Sequence, residues 1–381
     1  YTLSLQNDLP ILDKDFKTKS EYWAELENLN NWMDDELSKI LGNSKNSMED
    51  VKRIYHYLRD NFTCISKSGM FLTTSLKNTY KIKSGSVSDL NLLLVAFLKH
   101  RKIESYPLIL STRQHGVTNT AYPLLDRYNY LACYAVVDGK KLFLDASVPG
   151  LAFGKLDLNC YNGQARVMAS EPFSMNLSAD SLLEKNTNMV NCLIDKDELQ
   201  GRVVSISGYY ESANQRRFIH EKGKSVFADE LKAGFGSEYT VSNVEIDSLE
   251  AVEQPISVTY DFSAKLSEDG MLYFSPVLIP FYKENPFAAL TRQYPVEMPY
   301  RIDQTYILNF ELPANYQVEE TPKSVKIQLN NTEGFFEYLL SAADGRIQIR
   351  TRLMLNQANF LPDDYDSLRE FFSYKIGRAH V

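Results

Sequence analysis

Gly85-Ser86-Val87-Ser88-Asp89-Leu90-Asn91-Leu92-Leu93-Leu94 opens the most apolar stretch of this chain, and its reading decides the fold. Eight of the nine residues from Leu90 to Leu98 are apolar, so a helix over about 89–100 has no polar face to offer water. Such a helix must be buried on nearly every side. Serine just before it is a natural cap, and either Ser86 or Ser88 can accept a bond from a first-turn amide. Asp89 falls in the first turn, where a carboxylate meets the positive end of the helix dipole. The run is far shorter than the ~20 apolar residues that cross a bilayer, and no other run approaches that length, so no transmembrane segment is expected.

Working outward, two helices precede the run. One is expected over 20–41, capped by Ser20 and ended by Gly42. The other is expected over 48–61, where Ser47 with Asp50 reads as a capping box and Val51, Ile54, Tyr55 and Leu58 share a face. Between them and the central run lie Thr73, Thr74, Ser75 and a basic loop, Lys81-Ile82-Lys83. Downstream, 105–112 reads as a strand and 113–127 as a long loop holding Arg113, His115 and Gly116. Strands over 128–137 and 140–145 flank Asp138-Gly139, a strong hairpin signal. Residues 148–167 read as a loop-rich closing segment.

The segment Gly85-Ser86-Val87-Ser88-Asp89 resembles the Gly-x-Cys-x-Asp helix start of the transglutaminase-like (papain-like) superfamily. Tyr128-Asn129-Tyr130-Leu131 stands where that superfamily has a Phe-Asn-His pattern, and Leu144-Asp145-Ala146-Ser147 resembles its Leu-Asp-Pro-Thr strand end. The resemblance spans about residues 45–170. It places Val87 at the nucleophile position, Tyr130 at the base position and Asp145 at the aspartate position, so one triad member of three remains. It therefore implies no catalytic residue at these degenerate positions.

The missing chemistry is specific. The superfamily needs a thiolate, its pKa lowered by a helix N-terminus and a paired imidazole. Histidine shuttles the proton because it titrates near neutral pH. Valine has no nucleophilic atom, and tyrosine, with an ordinary pKa of ~10, is a poor base. A hydroxyl at Ser86 or Ser88 needs an adjacent base, and none is visible in the sequence. Cys133 shares a strand with Tyr130, but at a spacing of three it points to the other face and reads as a buried small hydrophobe. Cys64, at a helix end, also reads as structural. His115 has no visible catalytic partner. Asp145 has two compatible readings: a strand-end hydrogen-bonding group, or a triad relic that polarises a ligand.

Composition bounds the rest. The 381 residues suit two or three domains. Hydrophobic residues make up 44% and charged residues 24%, which is globular. The net charge is -8 and no basic stripe is present, which argues against a nucleic-acid partner. Four scattered cysteines, Cys64, Cys133, Cys160 and Cys192, make no disulfide scaffold, and without CxxC or His-Cys spacing they suggest no metal site. No cofactor is expected.

From residue 186 the hydrophobic period changes to two. Strands are expected over 188–194, 201–209, 239–247, 255–265, 271–277, 305–312, 324–330, 335–341 and 346–356. One helix, 213–233, interrupts them and another, 363–374, closes the domain. Residues 278–304, with four prolines, read as a crossing loop. The expected organisation is an N-terminal remnant with a linker helix (1–44), a degenerate transglutaminase-like domain (45–170) and a β-rich domain (186–375). Residues 376–381 read like a translated sequencing adapter, and with Tyr1 in place of an initiator methionine the natural chain is expected to continue at both ends.

The expected fold class is α+β: a papain-like domain with a central buried helix on an antiparallel sheet, then a β-sandwich-like domain with an inserted helix. The resemblance implies an exported, periplasmic or cell-envelope protein whose old cleft binds a peptide, glycan or protein partner without catalysis. Ser86, Ser88, Tyr130, Asp145, Arg113 and His115 would line that cleft. Two alternatives stay open. One is an active transglutaminase, cysteine peptidase or amidase with a relocated nucleophile; the other is a purely structural module.

Overall fold

The structure is a computed structural model that describes residues 31–379, apart from 119–123, 197, 237, 267–276 and 319. The expected strand 271–277 lies almost wholly outside the described residues, as do residues 1–30 and the last two of the chain. The chain forms two compact units, divided between Ser178 and Ala179.

The first unit is built around the apolar run. Helices α1 (Trp32–Leu41) and α2 (Ser47–Asn61) lead to strand β1 (Thr63–Ser66), helix α3 (Leu76–Ile82), strand β2 (Ser84–Ser86) and the central helix α4 (Val87–His100). Every residue of α4 from Val87 to Leu98 is buried, as its lack of a polar face requires. It packs on the antiparallel strands β3 (Glu104–Leu110) and β4 (Tyr130–Val137). With β5 (Lys140–Leu144), β6 (Gly163–Val167) and β7 (Phe173–Leu177) these form a five-stranded sheet of order β5-β4-β3-β6-β7. The β4–β5 turn is the one read from sequence: Asp138 and Gly139 both take positive φ, at 50° and 75°, as a two-residue hairpin turn of this kind demands.

Three local expectations are corrected. The cap of α2 is Asn46, which accepts from the Glu49 amide at 3.0 Å, and not Ser47 with Asp50. The supposed loop before the central helix contains α3, capped by Ser75 and stopped at Lys83, whose φ of 56° is left-handed. Residues 163–177, read as loop and boundary, contain strands β6 and β7.

The second unit has strands β8 (Leu183–Asp195), β9 (Glu198–Ile206), β10 (Thr240–Asp247), β11 (Ser257–Lys265), β12 (Val296–Glu297), β13 (Arg301–Glu311), β14 (Val325–Leu329), β15 (Gly334–Ala343), β16 (Arg346–Leu355) and β17 (Asn359–Phe360). Eight of them form one sheet of order β10-β11-β9-β8-β13-β16-β15-β14. Among the described strands of this sheet only β8 and β13 pair in parallel. Among the described residues no second large sheet faces it; β12 and β17 make a two-stranded pair. The second layer expected of a sandwich is supplied by helices. The inserted helix is two helices, α5 (Tyr209–Lys222) and α6 (Lys224–Phe235), broken at Gly223 with φ 94°. The closing helix α7 runs Tyr365–Ala379. Ile219, Phe227, Leu368 and Phe372 from these helices share a core with Val190, Phe262, Tyr306 and Phe310 of the sheet.

Candidate functional site

The three positions singled out by the resemblance are all buried: Val87 and Asp145 are fully inaccessible and Tyr130 is 6% exposed. Ser86 caps α4 by accepting from the Asp89 amide at 3.2 Å, while Asp89 accepts from the Ser86 amide at 2.8 Å. This is a complete capping box. Ser88, the other candidate cap, donates instead to the Phe71 carbonyl at 2.7 Å. Asp89 also accepts from the Thr73 amide at 2.7 Å and the Thr73 hydroxyl at 2.5 Å. Gly69 donates its amide to the Asn129 carbonyl at 2.7 Å. The segment from Gly69 to Thr73 is thus pinned across the start of α4 and the start of β4.

Asp145 is the hub beyond it. Tyr130 donates its hydroxyl to one carboxylate oxygen at 2.6 Å. The other oxygen accepts from the Ser147 hydroxyl at 2.6 Å, the Ser147 amide at 3.0 Å and the Asn91 side-chain amide at 2.9 Å. Asn91 also donates to the Leu131 carbonyl and accepts from the Ala146 amide, both at 2.9 Å. Asn91 lies four residues after Val87, one turn further along the same face of α4. Asn91 therefore ties the helix of Val87 to both strand ends that carry Tyr130 and Asp145. Asn91, Ser147 and Thr73 belong to the network without having been singled out from sequence.

The electrostatics oppose both missing roles. Burial first, and then the neighbouring Asp145 carboxylate, push the Tyr130 phenol well above its ordinary value. It is a hydrogen-bond donor at neutral pH and not a base. The thiols of this unit behave alike. Burial raises Cys133, Cys160 and Cys64, and Asp145 adds to each. Cys64 is the half-buried one, and it pairs with Gly85 across β1 and β2, beside the helix start. At Cys64 a bond to Ser66 and the charge of Lys67 act in the opposite direction, but burial outweighs them and the thiol stays raised.

Arg113 and His115 bond to carbonyls outside this network. Arg113 donates to the Tyr161 carbonyl at 3.3 Å, and His115 bonds the Asp126 carbonyl at 3.1 Å from an exposed position. No described bond joins either to Tyr130 or Asp145. Among the described residues no group of three or more His, Cys, Asp or Glu side chains is placed to hold a metal ion.

Gly85 shows how tightly the helix start is packed. A Cβ there would lie 2.8 Å from the Asp89 Cβ and 3.1 Å from a Thr79 methyl. Gly85→Ala is expected to destabilise the first unit by about 1–3 kcal/mol, the usual range for overpacking. Urea unfolding checks this, and an unchanged midpoint would show that the helix start yields easily.

With this geometry in place, comparison with known proteins gives two matches. The family described as a domain of unknown function with solved structure, DUF3858, matches residues 270–376. The crystal structure of a "putative protease" from Parabacteroides distasonis aligns over 99% of this chain, with a TM-score of 0.53 and 14% identity. The chain spans 57% of that structure's length. A search of curated proteins gave no match. The structural likeness shows a shared α+β fold, compatible with a transglutaminase-like first unit followed by a sheet-rich second one. No helix among the described residues is long and apolar enough to cross a membrane.

Proposed function

We propose that the first unit is a transglutaminase-like domain that performs no thiol catalysis and serves as a structural or interaction module. The observation that carries this reading is the Tyr130 hydroxyl donated to Asp145 at 2.6 Å, at the position where a base would stand. The aspartate that would orient an imidazole is occupied by four donors from Tyr130, Asn91 and Ser147. Val87, at the nucleophile position, is sealed from solvent. The pinned segment over the helix start supports packing, rather than ligand binding, as the present use of the old cleft. Peptide, glycan or protein partners would then bind to other surfaces. The sequence resemblance supports an exported, cell-envelope location, and fractionation that leaves the protein in the cytosol would count against that part.

The test is a panel of peptide, amide and amine-donor substrates with the purified chain. The expected result is no turnover above the buffer blank, because a nucleophile and a base each supply orders of magnitude in rate. Turnover abolished by Cys64→Ala would overturn the proposal and establish a relocated nucleophile.

A further inference from the structure

The outward face of the eight-stranded sheet carries a row of polar side chains that the first unit's site does not explain. Asp261, Arg202, Asn191, Asn309 and Gln348 stand in register on five consecutive strands, β11, β9, β8, β13 and β16. Their sequence neighbours Phe262, Val203, Cys192, Phe310 and Ile349 are buried in the core, so the row faces solvent. Four strand spacings of ~4.8 Å make the row roughly 19 Å long. Its members are fixed by one another. Arg202 grips Asp261 with two bonds, at 2.7 and 3.2 Å. Asn309 donates to Asn191 at 2.9 Å and accepts from Gln348 at 3.4 Å. Asn243 donates to Asp261 at 2.9 Å.

A cavity of about 610 Å³ lies over the row, lined by Asp261, Arg202, Asn191 and Asn309 together with Ser242 and Leu193. Cross-strand pairing by itself explains the ion pair. It does not explain a hydrogen-bonded amide ladder running from a cavity with bonding capacity left over. Among the described residues the Asn191 side-chain NH2 and the Gln348 side-chain carbonyl have no partner within the protein.

We propose that this groove binds a neutral carbohydrate chain. Charge selects the ligand class. Arg202 is already matched by Asp261, and Glu311, also at the cavity, is matched by Arg346 at 3.1 Å. Among the described residues that line the cavity no cation is left unmatched, and the exposed Glu245, close enough to act on Arg202, adds only negative charge, so the groove has nothing to attract a phosphate or a polyanion. What remains is a mixture of donors and acceptors on planar groups. Adjacent sugar hydroxyls, each both donor and acceptor, fit such edges. Leu193, 43% exposed at the cavity, offers an apolar surface to the C–H face of a sugar ring. The side chains are held before the ligand arrives, so little ordering entropy opposes binding.

The experiment is native affinity electrophoresis of the full chain in gels containing dextran, mannan, amylopectin, laminarin or xyloglucan, with heparin as the anionic control. At least one neutral polysaccharide should retard the protein. The Asn191→Ala/Asn309→Ala double variant should lose at least tenfold in apparent affinity while melting like the parent. Arg202→Gln, a change at an exposed side chain, should weaken retardation in the same direction if the double variant folds poorly. Retardation by heparin alone, by none of the polysaccharides, or equally in all variants would overturn the proposal. So would self-association that depends on Asn191 and Asn309 without any retardation, since the face would then be an interface between copies of the chain.

Discussion

Replacing Tyr130 by alanine is expected to lower the stability of the first unit by about 3–5 kcal/mol, the range for truncating a buried aromatic side chain. The ring is almost wholly buried, and its hydroxyl is one of four donors to Asp145. Tyr130→Phe keeps the ring and removes only the donor, so it should cost less, about 1–3 kcal/mol. Trp32 packs against the core of the first unit, so tryptophan fluorescence during urea unfolding reports this change. A pH signature accompanies it. The folded state raises the Tyr130 pKa, so this contribution is complete below the unfolded value of ~10 and is lost as pH rises beyond it. Stability should fall between pH 10 and 12 more steeply in the parent than in Tyr130→Phe. A Tyr130→Ala variant with parental stability would mean an accessible ring in an open groove.

Asn91→Ala should be comparably damaging, by about 3–5 kcal/mol, because it strands several buried groups at once. The Ala146 amide loses its acceptor, and the Leu131 carbonyl and Asp145 each lose a donor. Leucine at this position restores volume but none of these bonds, so Asn91→Leu should fare little better. Asn91→Asp keeps an acceptor for Ala146 but sets a second carboxylate against Asp145, and should not rescue. The same fluorescence-monitored unfolding checks the series. A loss below about 1 kcal/mol for Asn91→Ala would show that the network is not structural.

Much of the first unit was legible because its decisive element has almost no freedom. A helix with apolar residues all round can only be a core helix, and Asp138-Gly139 can only turn tightly between two strands. Short motifs singled out Val87, Tyr130 and Asp145, and the structure buries all three. Asn91 was legible too, although only in retrospect: it is the one polar residue between Leu90 and Leu98, and a buried amide must find partners. Helix α3 was hidden for a different reason. Seven residues are too few to display a helical period, and what holds its C-terminal end is tertiary. Lys83 sits 3.9 Å from the Tyr80 ring centre, and also 4.3 Å from Phe62 and 4.6 Å from Tyr57, which lie about twenty residues earlier at the end of α2. Arg113 and His115 were placed near the cleft by chain order alone, which does not reveal their bonds to the Tyr161 and Asp126 carbonyls. In the second unit alternation revealed the strands but not their partners. Period two identifies a face and says nothing about whether a second sheet or a layer of helices covers it.

A first unit of the kind proposed holds no activated thiol. The most direct measurement is the alkylation rate of each cysteine in the native chain at pH 7, read by mass spectrometry after iodoacetamide treatment. Burial and the Asp145 charge predict that Cys133 and Cys160 stay unmodified until the protein is denatured. Cys64 should react no faster than an ordinary free thiol, since its pKa is raised as well. A thiol of this unit that reacts orders of magnitude faster than free cysteine would be a thiolate in the folded protein, and would contradict the account.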